Sequence, residues 1–152
     1  MPSLGGKILG IILYMIPWAD GLIFGNHLYV QYPFTQIIQI PAIPIIIIQR
    51  SIPFGNLLLF LAIFIGLVKN NKVSYFLRFN ALQALLINIG IIIISYVFQI
   101  FLSPFGNELI IRTISSTLII TIFSMVTYCV WSCSQGNEPD LPGISKATKM
   151  QL

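Results

Sequence analysis

Long apolar runs alternate with short polar breaks along this chain, and the runs carry almost no charge. The longest, Phe79 to Phe101, has no formally charged residue. Coiled as a helix at about 1.5 Å per residue it measures roughly 34 Å, enough to cross a hydrocarbon layer of about 30 Å. Its polar residues fall at helical spacing: Asn80, Ala84, Asn88, Ser95 and Gln99 share an arc of roughly 100°, with Gln83 about 60° outside it. That face is expected to meet something other than lipid.

Three more apolar segments surround this one. Glu108 or Leu109 to about Trp131 follows the break Ser103-Pro104-Phe105-Gly106 and is expected to be its packing partner. Along it Thr113, Ser116, Thr117, Thr121, Ser124, Thr127 and Tyr128 lie on one side and Ser115 opposite, a stripe expected to pack on a helix or to border water. Ser51 to Val68 places Gly55, Ala62 and Gly66 on one face, and Ala62-xxx-Gly66 is the small-residue spacing that permits close helix approach. Gly5 to Ile16 covers only about 18 Å and spans only if it continues through a kink at Pro17, toward Tyr29. Pro41 and Pro44 interrupt the stretch from Gln31 to Arg50, which suits an interfacial or re-entrant segment. Residues after Ser134 are polar and broken by prolines, as in a flexible tail.

These elements predict an all-α integral membrane bundle of four transmembrane helices, the first short or kinked, with an interfacial segment between helices one and two. Its transmembrane domain covers residues 1–133 and a polar tail 134–152. Composition agrees: the chain is 57% hydrophobic and only 8% charged, against about 25% charged in ordinary soluble domains. The net charge of +4 comes from basic residues that flank apolar segments and form no nucleic-acid patch. With four spans, Lys7, Lys69, Lys72, Arg78, Lys146 and Lys149 collect on one side and only Arg50 and Arg112 on the other. Basic residues mark the side of insertion, so both termini are expected to face the cytosol-like compartment. Isoleucine is about a fifth of the residues, a weak pointer to an A+T-rich organelle genome. The opening MPSLGGKILGIILYMIP is followed by PWADG instead of a small-x-small cleavage motif, so it is expected to be retained.

Catalytic chemistry finds little support. There is no phosphate-binding glycine loop, no carboxylate pair within a span and no nucleophile beside a base, and no cofactor is expected. His27 stands without ligand-spaced neighbours. Cys129 and Cys133, four apart on one helix face, could be a redox pair or half a metal site, but ordinary buried thiols account for them.

Three blocks in order resemble the Tic-twenty family of plastid inner-envelope translocon subunits and their cyanobacterial and plastid-encoded relatives. They are Pro17-Trp18-Ala19-Asp20-Gly21 with Phe24-Gly25 and Gln31-Tyr32-Pro33; Gly66-Leu67-Val68-Lys69-Asn70; and Ser74 to Leu86, SYFLRFNALQALL. Arg78, Phe79, Asn80 and Gln83 in the last block, with Trp18, Asp20 and Gly21 in the first, carry the resemblance. Leu82 and Asn88 depart from it, standing where many members have Met and an acidic residue.

The resemblance implies a four-helix membrane subunit of a protein-import machine. Its partners would be other translocon membrane subunits, precursor polypeptides and the lipid bilayer. Asn80, Gln83, Asn88, Ser95 and Gln99, with Thr117, Thr121 and Ser124 on the later helix, are candidates either for lining a hydrated conduit or for helix packing. Amides and hydroxyls would keep a polypeptide path wet without the fixed charge that would stall a passenger. A small structural subunit of a photosynthetic or respiratory membrane complex is the alternative function, and a solute transporter a weaker one.

Overall fold

The computed structural model describes residues 1–152, and its regular structure is helical throughout. Ser3 starts the first helix by accepting the Gly6 N–H on its hydroxyl at 3.1 Å, which satisfies one of the orphan donors of a helix start. Helix α1 (Leu4–Gly21) passes through Pro17, tightens into a 3-10 turn at Leu22–Gly25 and ends as α2 (Asn26–Gln31). Together they make a 28-residue membrane-length unit. The first span is therefore full length.

A 3-10 segment, Pro33–Ala42, leads into α3 (Ile43–Ser51). The chain then bends by 110° into α4 (Gly55–Ile63), which finishes in a π-helical turn at Phe64–Val68. The hinge has two local causes. Phe54 holds a left-handed backbone, φ 57°, which a non-glycine residue adopts at a cost of about 1–2 kcal/mol. Gly55 lies so close to the Gln49 carbonyl that a Cβ there would stand 2.2 Å from its oxygen. Only glycine lets α3 and α4 meet at this angle.

Helix α5 (Tyr75–Val97) extends through a π-helical turn, Phe98–Leu102, and a 3-10 turn to Phe105. Helix α6 (Glu108–Gln135) ends at Gly136, whose φ of 82° and N–H bond back to Cys133 O form a left-handed cap.

Helix α1 is the centre of the bundle, with its most extensive contacts to α5 and α6. This corrects the expected pairing of α5 with α6, because each packs mainly on α1 and only weakly on the other. Gly10 near Phe76, Tyr14 bonded to Asn80 and Asp20 beside Asn88 show α1 and α5 running parallel. Gly10 against Cys133, Trp18 against Phe123 and Gly21 against Ile122 show α1 and α6 antiparallel. Since α1 and α5 start at the same end, the bent pair between them carries the chain back, so that there are three membrane-length helices and a fourth passage where the bent pair counts as one span.

The small residues that allow close approach also lie on α1. A Cβ on Gly10 would sit 2.9 Å from Cys133 Sγ, and one on Gly21 would sit 2.9 Å from Ile122, whereas a Cβ on Gly66 would meet nothing within 4 Å. The close-packing role expected of Ala62-xxx-Gly66 is thus not used within this chain.

After Gly136 the chain folds back. Helix α7 (Ile144–Gln151) lies against α5, and Gln83 Nε2 donates to Pro139 O at 3.2 Å. Ser145 Oγ reaches the same carbonyl at 3.0 Å and accepts the Leu141 N–H at 2.7 Å. The tail, expected to be flexible, is held by buried polar bonds. It brings Lys149 to Phe79, while Lys7 lies beside Gly136, so these residues gather with Lys69 and Arg78 at one end of the bundle.

Candidate functional site

The polar face of α5 divides in two. At its start Asn80 is fully buried and both polar atoms of its side chain are bonded: Oδ1 accepts from Tyr14 OH at 2.9 Å and Cys133 Sγ at 3.1 Å, and Nδ2 donates to Phe76 O at 2.8 Å. One amide thereby ties α1, α5 and α6 together. Gln83, also fully buried, holds the tail through Nε2, while its Oε1 has no partner. Arg78 donates from Nε to Val68 O at 2.9 Å, and Phe79 is fully buried. The Trp18 indole donates to Ile38 O at 2.9 Å, pinning the interfacial segment to α1.

Further along, the surroundings of α5 change. Asn88, Ser95 and Gln99 line a cavity of about 640 Å³ with Asp20 of α1 and Asn56 of α4. A second cavity of about 650 Å³ adjoins it, sharing Asp20, Ile23 and Asn56, and is bounded by Asn26, Gln39, Gln49 and Arg50. Asp20 occupies the common wall. Its Oδ1 accepts from Gln49 Nε2 at 3.3 Å, while Oδ2 is buried without a partner. Asn88, 4% exposed, lies beside the same carboxyl, and its Oδ1 is likewise unpartnered. These two oxygens are thus buried side by side, and neither has a hydrogen-bond donor at good geometry. Leaving such a group unsatisfied costs about 1–3 kcal/mol, so the chemistry there calls for water or another donor.

Thr117, Thr121 and Ser124 lie elsewhere. They are exposed, and each donates to the carbonyl four residues back, at 2.9, 2.8 and 2.9 Å to Thr113, Thr117 and Ile120. The packed side of α6 is the one bearing Ser115, Ile119, Ile122, Val126 and Cys129. The hydroxyl stripe faces outward, away from the cavities.

Asn56, Gln49 and Gln39 were missed in the sequence. Asn56 had a signal, as the only polar side chain of α4. Gln49 and Gln39 enter only because the 110° bend folds their segment over Asp20, which local periodicity cannot show.

The model of the family described as chloroplast import apparatus Tic20-like matches residues 2–148. The chain belongs to this family. It is 31% identical over 150 residues to a Tic20 family protein of Synechocystis sp., covering 96% of this chain and 92% of that protein. It is 27% identical over 147 residues to Protein TIC 20-v, chloroplastic, of Arabidopsis thaliana, covering 96% and 70%. With the Tic20 family protein Ycf60 of Porphyra purpurea it shares 28% over 152 residues, covering 96% and 75%. Membership and the apolar passages together describe a multi-pass membrane protein that fits the plastid inner envelope or the corresponding cyanobacterial membrane.

Proposed function

We propose that this chain is a membrane subunit of a protein-import translocon in the plastid inner envelope, and that the cavities around Asp20 border the path of the passenger polypeptide. The observation that carries the second part is the polar lining that Asp20, Asn56, Asn88, Ser95 and Gln99 give a cavity of about 640 Å³, beside which two buried oxygens, Asp20 Oδ2 and Asn88 Oδ1, have no partner. At about 30 Å³ per liquid water such a space has room for on the order of twenty molecules. The amides, the Ser95 hydroxyl, the Asp20 carboxyl and the Arg50 guanidinium, set among apolar residues such as Phe60, Ile91 and Ile92, let peptide groups exchange hydrogen bonds as they pass, which a wholly apolar wall does not.

Site-specific photo-cross-linking tests this reading. A photoreactive side chain at Ser95 or Gln99 should capture an arrested precursor, and one at outward-facing Thr121 should not. Asn88→Leu should assemble normally yet lower import per assembled complex severalfold. Capture at Thr121 equal to that at Gln99, or a normal import rate for the Leu variant, would discard the path and leave a structural subunit.

A further inference from the structure

A third cavity, of about 560 Å³, lies at the basic end of the bundle, between the end of α4, the start of α5 and the last residues of α7. Lys69 and Arg78 supply cations to its wall, Asn71 and Gln151 supply amides, and Phe64, Val68 and Leu82 supply apolar surface. No acidic side chain lines it. It shares no lining residue with the cavities around Asp20.

The arginine is positioned by backbone geometry. Helix α4 ends in a π-helical turn in which the Lys69 N–H bonds to Phe64 O at 2.9 Å, and such turns often mark functional positions. Val68 O, outside that bond, accepts Arg78 Nε at 2.9 Å. This holds the half-buried guanidinium by one nitrogen and leaves its two terminal nitrogens without a protein acceptor. Lys69 Nζ stands 5.5 Å from the centre of the Phe64 ring, on the same wall.

We propose that this cavity binds the phosphate headgroup of an anionic phospholipid. The free nitrogens of Arg78 form a planar fork that matches two phosphate oxygens, and Lys69 adds a second positive charge. Beyond Phe64, the flank of α4 exposes Leu57, Leu58, Leu61 and Ile65, an apolar track for acyl chains that a free phosphate would not use. Basic pockets between membrane helices are a recognised form of anionic headgroup site. Gln151 and Leu152 of the folded-back tail close the remaining side.

Thermal unfolding of the purified full chain in dodecyl maltoside, titrated with phosphatidylglycerol, phosphatidylcholine or inorganic phosphate, tests the proposal. Phosphatidylglycerol should raise the midpoint saturably, and the other two should not. Lys69→Gln loses a cation that has no hydrogen bond in the fold, and it should raise the half-saturating lipid concentration about fivefold. Lys72→Gln, on the same turn but outside the cavity, should change it less than twofold. Equal protection by phosphatidylcholine, full protection by inorganic phosphate, or a Lys72→Gln loss matching that of Lys69→Gln would each overturn the site.

Discussion

At the start of the polar face of α5, Asn80 has each side-chain group bonded and no exposure; two turns on, Asn88 is nearly as buried and its oxygen has no partner. The residue type is the same, so the difference lies in what α1 and α4 present. Opposite Asn80, α1 supplies Gly10 and Tyr14, which close the gap with backbone and a hydroxyl. Opposite Asn88 it supplies a carboxyl, and the bent passage of α4 leaves open volume behind it. An amide in a span is packing glue or a wet wall according to its neighbours. Gln83 is intermediate, with its nitrogen used and its oxygen orphaned.

Replacing each asparagine by leucine gives the largest contrast. Asn80→Leu removes three hydrogen bonds and orphans the Tyr14 hydroxyl, so it should destabilise the bundle by about 3 kcal/mol. Asn88→Leu removes an acceptor that has no partner and should cost under about 1 kcal/mol. Unfolding of both variants in mixed micelles measures this, and equal losses would erase the distinction between the two ends.

A second contrast concerns close approach. Gly10→Leu drives a branched side chain into Cys133 Sγ and the Asn80 network, and overpacking of that kind costs about 1–3 kcal/mol. Gly66→Leu should be close to neutral in the isolated chain. A larger loss for Gly66 in the same unfolding experiment would mean that α4, and not α1, carries the tight contact.

The sequence made α5 legible because a polar arc at helical period within an uncharged run has few alternative explanations. It did not reveal that α1 is central. Gly10 and Gly21 share a face, but they lie three turns apart, so no small-xxx-small signature marks them. The threonine and serine stripe of α6 was visible as one side of a helix, yet periodicity does not say which side faces inward. Back-bonding to carbonyls four residues earlier makes the hydroxyl side acceptable to lipid, and the side with Ile119, Ile122 and Val126 takes the core. The tail looked unstructured because its anchors are the Pro139 carbonyl, to which composition is blind, and the distant Gln83 amide. Gly55 was visible only as a small residue, since its need is set by the Gln49 carbonyl across the bend.

The finest test separates the two ends by a single hydroxyl each. Tyr14→Phe removes one of two donors to Asn80 Oδ1, and Cys133 still donates, so no acceptor is orphaned. The expected loss is that of one interhelical hydrogen bond, about 0.6 kcal/mol and no more than about 1.7. Ser95→Ala removes a hydroxyl that bonds only its own helix, to Ile92 O at 2.8 Å, and borders the cavity, so stability should not change measurably. A double-mutant cycle sharpens the first half: in an Asn80→Leu background, where the buried hydroxyl is already orphaned, Tyr14→Phe should cost nothing further and recover part of the loss. A Tyr14→Phe loss that persists unchanged in that background would show that the tyrosine hydroxyl contributes through some neighbour other than Asn80, and the three-helix tie would have to be reassigned.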